Sequence, residues 1–373
     1  MRDFTERSDG IVCATAPALF DDPLRGERPD GIPITLSVIR PKDSRPGDDL
    51  PVIAFVHGGR FESGDSANSP LEELAALGAV VVCLGYRLRA PGWVPLQGDT
   101  PAHYRGVEDC QQGLEWIQRH VEEFGGDPTN VTLVGQSAGA AIVLWLSRRD
   151  HYRGGFRRVL ALSPAFPRRP WRDRRWVFRA ALGAPLTRER LNAVNPARLD
   201  RAFWRLRRAI AMDIPLGPHP FDESELSSVD LVVSATSQEM RNEPVSSSLD
   251  SRGLSRLGLR LFARATGVKD VSGYSSTTDF SGDVFIRRFA EQAARRPAGR
   301  TWLMEIADAA HCDDIEALFA GGAFTQWVYG FACGQKPQWP EYRAEYQAAR
   351  LDLETGALTP TTDPFALARG LFA

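Results

Sequence analysis

Residues Thr132 to Trp145, T-L-V-G-Q-S-A-G-A-A-I-V-L-W, constrain this chain more than any other stretch. A short apolar run stops at Gly135, and a helical pattern starts just beyond Ser137. A strand that feeds a helix through G-x-S-x-G must make a tight, strained turn, which only small flanking residues permit. That turn stands the serine hydroxyl up at the strand end. Ser137 is therefore the candidate nucleophile.

The chain around it has the rhythm of a layered α/β protein. Gly31 to Arg40 alternates at Ile34, Leu36 and Val38, as an early strand would. Pro51 to Val56 and Ala79 to Leu84 are continuous apolar runs, expected of strands buried on both faces, with a helix-like stretch at Leu71 to Leu77 between them. Val107, Cys110, Leu114, Ile117, Val121 and Phe124 recur at three- and four-residue steps, which predicts one long amphipathic helix. The loop F-G-G-D-P-T-N breaks it before a strand at Val131 to Val134, and another strand follows at Val159 to Leu162. Strand, helix, strand in this order predicts a doubly wound, mostly parallel central sheet.

From about 165 to 229 the pattern is helical and amphipathic, with proline-rich joints. We read it as a cap over the carboxyl ends of the strands, where such sheets bind their ligands. Strand character returns at Leu231 to Ser234. Helices are expected around Leu254 to Ala265 and Phe285 to Ala294, and Thr301 to Ile306 reads as the last strand. A single domain over 1–373, carrying that cap, accounts for the pattern.

Composition narrows the function classes. Of the 373 residues, 43% are hydrophobic and 25% charged, enough for a large core. The formal charge is only −2, and the basic residues, nearly all arginine, are spread among acids. That gives no ground for a nucleic-acid or membrane partner. The five cysteines are scattered and lack any C-x-x-C or Cys/His zinc spacing, so no metal site is expected and a reducing compartment is the simpler reading. No apolar leader opens the sequence, and no stretch approaches the ~18 apolar residues of a membrane span. The expected location is cytoplasmic. The oligomeric state is not encoded in any pattern we recognise.

A serine hydroxyl needs a general base within hydrogen-bond reach, normally an imidazole held by a carboxylate. Of the six histidines, His311 comes just past the last expected strand, where the chain order Ser, acid, His puts the base. The acid is expected in the loop after the strand at 231–234, which offers Glu239. Asp230 would emerge at the wrong end of that strand, and Asp308, on the same loop as His311, is the rival. The turn H-G-G-R-F after the run ending at Val56 can turn backbone N–H groups inward. We take Gly59 and Arg60, with Ala138 after the nucleophile, as the oxyanion donors. This chemistry calls for no cofactor. Phe166, Trp171, Trp176, Phe203 and Trp204 are candidates to line a substrate pocket.

These residues resemble the type B carboxylesterase family, the cholinesterase-like branch of the α/β-hydrolase fold. The resemblance rests on H-G-G-R-F (57–61), Y-R-L (86–88), F-G-G-D-P-T-N-V-T-L-V-G-Q-S-A-G-A (124–140), T-S-Q-E (236–239), A-A-H-C-D-D-I (309–315) and W-V-Y-G-F-A-C-G-Q-K-P-Q-W-P-E-Y (327–342). It implies hydrolysis of small-molecule carboxylic esters through an acyl-enzyme, with glutamate as the usual acid, and so also favours Glu239. Amides, carbamates, lactones or polyesters are alternative substrates for the same constellation, and a catalytically silent binding protein on the same fold is the alternative from another class. Arg60 stands where glycine or alanine is common in the family. Gln136 stands where cholinesterases carry glutamate, so choline esters are not the expected substrates.

Overall fold

The computed structural model describes residues 4–210, 212–343 and 345–371. The single-domain reading of 1–373 therefore also takes in residues 1–3, 211, 344 and 372–373, which lie outside the described part.

Strand β4 (Leu50–Val56) shows why the sheet is buried on both sides. Val52, Ala54 and Val56 face one core, while Ile53 and Phe55 face a second core on the opposite side. The same two-residue alternation divides β5 (Val80–Leu84) and β7 (Arg158–Leu162) between the same two cores. Helices Arg105–His120 and Ala138–Leu146 supply the first core, and Asp313–Ala320 and Ala323–Ala332 the second.

Around these strands lie β1 (Thr5–Ala16), β2 (Leu24–Arg25), β3 (Ile32–Pro41), β6 (Gly126–Gln136), β8 (Asp230–Gln238), β9 (Thr301–Ala310), β10 (Gln347–Leu351) and β11 (Leu358–Thr362). They form one 11-stranded sheet in the order β11-β10-β9-β8-β7-β6-β4-β5-β3-β1-β2. All pairings from β5 across to β10 are parallel, and antiparallel strands close both edges. The sheet is thus the mostly parallel, doubly wound one expected of an α/β-hydrolase. The strand order reverses at β4, with β5 on one side and β6 on the other. The turns after β4 and β6 therefore leave the sheet side by side at its switch point, where a crevice forms.

Three sequence expectations need correction. Thr301 to Ile306 is not the last strand, because β9 runs on to Ala310 and β10 and β11 follow. Those two strands give weak signals, since Q-A-A-R-L buries mainly alanines and L-T-P-T-T is an edge strand whose Pro360 is tolerated only there. The loop expected before Val131 is already strand. Gly126 pairs with Leu50, and the register then shifts before Val131 pairs with Val52, leaving Asp127 to Asn130 as a bulge that accepts Pro128.

Helical cover is also more extensive than 165–229. That stretch holds Arg175–Leu182, Arg188–Asn192 and Pro196–Ala209. A second group, Pro244–Ser251, Ser255–Thr266 and Thr277–Gly282, follows β8 and packs around its own small core of Leu259, Phe262, Phe280 and Val284.

Candidate active site

β6 delivers Ser137 to the rim of the sheet in a conformation that few side chains adopt, φ 55° and ψ −116°. The turn is possible because β6 and the following helix nearly touch. A Cβ on Gly135 would lie 2.4 Å from the carbonyl oxygen of Gly139, and one on Gly139 would lie 2.1 Å from the carbonyl oxygen of Val56 on the neighbouring β4. The neighbouring turn after β4 is shaped in the same way: Gly59 has φ +106°, and a Cβ there would meet the Ser63 carbonyl at 2.1 Å. Tyr86, from the Y-R-L motif, stacks on His57 at 4.4 Å and donates its hydroxyl to the His57 carbonyl at 3.0 Å, bracing that turn. Next to it, Arg87 forms a buried ion pair with Asp109 at 2.8 Å.

β8 and β9 bring the other two side chains. Gln238 pairs with Ala310, and the His311 N–H donates to the Glu239 carbonyl at 3.1 Å, so the two strand ends hold acid and imidazole next to each other. His311 Nε2 lies 2.9 Å from Ser137 Oγ, and His311 Nδ1 lies 2.6 Å from Glu239 Oε2. The three residues named from the sequence therefore form one unbroken hydrogen-bonded line. A proton on Nδ1, donated to Glu239, leaves Nε2 free to accept from the serine.

Burial disfavours charge on both partners, and each favours the charged form of the other. The Glu239 carboxylate raises His311 well above the ordinary imidazole range. His311, the Ser163 hydroxyl at 2.8 Å and the Thr236 N–H at 2.7 Å keep Glu239 below the ordinary carboxylate range.

Neither rival acid enters this line. Asp230 opens β8 at the far end and pairs with Arg300, while Asp308 gives its backbone carbonyl to Arg241 at 3.0 Å. The other histidines are engaged elsewhere: His103 with Asp22, His120 with Glu123 and His151 with Asp150, and the His219 carbonyl accepts from Tyr104.

The N–H groups of Gly59 and Arg60 donate to no backbone carbonyl among the described residues. Ala138 is the first residue of its helix, so its N–H has no intrahelical partner. Sequence reasoning missed Ser163 and Asp314. Both are buried behind Glu239, and Ser163 Oγ also lies 3.3 Å from Asp314 Oδ2. Burial, followed by the charge of Glu239, pushes the Asp314 carboxyl up to about 7. Its only sequence signal is its place three residues after His311. Cys312 is partly buried and accepts a hydrogen bond from Gln136 at 3.4 Å.

A cavity of about 310 Å³ opens on Ser137 and His311. Phe166 is the only one of the five predicted aromatics in its wall. Trp171 packs on Phe178, Phe203 is in the cap core, and Trp176 and Trp204 are exposed. The rest of the apolar wall combines Met212 and Ile214 of the expected cap stretch with Met240, Phe262 and Phe285 from the segment after β8, which the sequence reading did not recognise as cover.

The sheet and the strand ends that carry the site are those of the α/β-hydrolase fold. Residues 33–172 match the model of the carboxylesterase family. The chain is 36% identical over 152 residues to the acetylcholinesterase of Gallus gallus, covering 39% of this chain and 18% of the relative. It is 39% identical over 115 residues to the neuroligin-like protein glit-1 of Caenorhabditis elegans, covering 31% of this chain and 16% of the relative. The matches thus span less than a quarter of these relatives' own length. A solved PNB esterase superposes over 99% of this chain and 96% of its own with a TM-score of 0.76 at 21% identity, a likeness of fold. Among the described residues no helix is long and apolar enough to cross a membrane.

Proposed function

We propose that the protein is a serine hydrolase of carboxylic esters that works through an acyl-enzyme. The observation that carries this reading is the hydrogen-bonded line from Glu239 through His311 to Ser137 at the floor of a cavity. Ser137 Oγ attacks the ester carbonyl as His311 Nε2 takes its proton. Glu239 keeps the imidazole in the right tautomer and stabilises the imidazolium that forms. The backbone N–H groups of Gly59, Arg60 and Ala138 hold the oxyanion of the tetrahedral intermediate. His311 then gives its proton to the departing alkoxide, and a water activated by the same imidazole releases the acid.

The alternative of a silent binding protein calls for a missing member of the line, and all three are present. A panel of aryl esters of graded acyl length, run on wild type and Ser137→Ala, tests the proposal. We expect turnover by wild type only; equal turnover by the variant would remove Ser137 from the mechanism.

A further inference from the structure

We propose that the preferred substrate carries, some bonds away from the reacting ester, an anionic group such as a carboxylate, which Arg60 and Arg207 hold. This inference rests on the esterase reading above and adds the substrate class. Both arginines stand in the wall of the cavity that also contains Ser137 and His311. Arg207 Nε lies 2.9 Å from Glu62 Oε1, and Arg60 Nε lies 3.7 Å from the same oxygen. Among the described residues Glu62 is the only ion-pair partner of either, so two guanidinium charges share one carboxylate.

The other two acids of the wall are already committed. Asp213 is ion-paired with Arg174 at 2.6 Å and accepts the N–H groups of Arg168 and Ile214. Glu243 accepts the N–H groups of Val245 and Ser246 at the start of helix Pro244–Ser251.

With Asp213 balanced by Arg174, the cluster of Arg60, Arg207 and Glu62 holds two guanidiniums against one carboxylate, a local excess of one positive charge that a neutral ester would not meet. Burial, followed by the repulsion from Arg207, works against the charge on Arg60, and an anion bound between the two would relieve that repulsion. Each guanidinium meets Glu62 most closely through Nε. The two terminal nitrogens remain as a fork, the geometry that binds a carboxylate through two parallel hydrogen bonds. The apolar side chains of Phe262 and Phe285 in the same wall suit the hydrocarbon that would separate ester from charge. Among the described residues no basic side chain other than these two arginines and His311 faces the cavity.

The test compares matched pairs of alkyl esters by titrating the acid released at constant pH. Monomethyl adipate against methyl hexanoate places the carboxylate on the acyl side. The acetate ester of a terminal hydroxyhexanoate against hexyl acetate places it on the alcohol side. Wild type should prefer the carboxylate ester of at least one pair by about tenfold or more in kcat/KM, the scale of a charge-assisted hydrogen-bonded pair. In Arg207→Gln the ratio should fall, and in Arg60→Gln/Arg207→Gln it should approach one; circular dichroism verifies the fold of each variant. The ratio cancels any change common to both esters.

Equal or poorer turnover of the carboxylate ester in both pairs, or a preference that the folded variants retain, overturns the inference and leaves the esterase reading intact. If no ester is hydrolysed, the esterase reading fails. Calorimetry with adipate then decides on the arginines: saturable binding that the variants lose supports an anion site, and absence of binding by wild type overturns it.

Discussion

His311 has two very different surroundings. Behind it, Glu239, Ser163 and Asp314 are at most 1% exposed, and the first two hold fixed hydrogen bonds at the ends of β7 and β8. In front of it, a cavity of about 310 Å³ is walled largely by side chains from the segments that follow β7 and β8. The rear is built by strand register, and a strand pair leaves its end residues little freedom. The front is built by packing between insertions, and there volume and charge can change without disturbing the sheet. Chemistry is thus assigned to the rigid side of the imidazole and substrate choice to the adaptable side.

The largest effect that would break this division concerns the line itself. Ser137→Ala should lower ester turnover by about a thousandfold or more, leaving what the oxyanion donors and binding still provide. Glu239→Gln should cost about a thousandfold, because the imidazole loses the partner that sets its tautomer. It should also move the pH profile. Hydrolysis needs neutral His311, so with the native glutamate, which raises the imidazole, the acidic limb of kcat/KM lies above the ordinary imidazole range. Without the carboxylate's charge, that limb should shift to lower pH.

On the front side, Phe262→Ala should enlarge the cavity and shift preference towards longer acyl chains, while costing about 3 kcal/mol of stability. An unchanged chain-length profile in a folded variant would take this residue out of the substrate's path.

Asp314 sharpens the account of the rear. Because its folded-state value is raised to about 7, the folded protein holds a proton there that the unfolded chain has lost above the ordinary carboxylate range. Stability should therefore fall as pH rises through that window. Asp314→Asn should flatten the fall, as seen in Tm between about pH 4 and pH 7.

The smallest effect belongs to Trp176, which is 67% exposed and away from the cavity. Trp176→Ala should change stability by no more than about 0.5 kcal/mol and leave the ester profile unchanged. A marked change in that profile would bring the cap's outer face into substrate binding.

The same contrast explains what the sequence made legible. Apolar runs such as P-V-I-A-F-V and the glycines at 135 and 139 have local causes, so the parallel sheet and the placement of Ser137, Glu239 and His311 at its rim could be read directly. The chain order of the three followed from which strand each one ends. Asp314 was not readable, since an acid three residues past a histidine has no pattern until tertiary burial raises its pKa. The cavity wall was equally hidden. Phe262 and Phe285 sit in helical stretches whose periodicity shows that a face is buried without showing against what, Met240 sits in a turn with no periodicity at all, and most of the cap aromatics that drew attention went into the cap's own core or to solvent. Strands β10 and β11 were missed because Q-A-A-R-L is rich in alanine and L-T-P-T-T is interrupted by proline, both depleted in strands.

The central claim is that Ser137 is an activated nucleophile because His311 and Glu239 stand behind it. Labelling by a fluorophosphonate, followed by mass spectrometry of the intact protein and its peptides, tests this most directly. The account predicts one adduct per chain, on Ser137, absent in Ser137→Ala and strongly slowed in His311→Ala. No adduct on the folded wild type, or an adduct on a different serine, would contradict it.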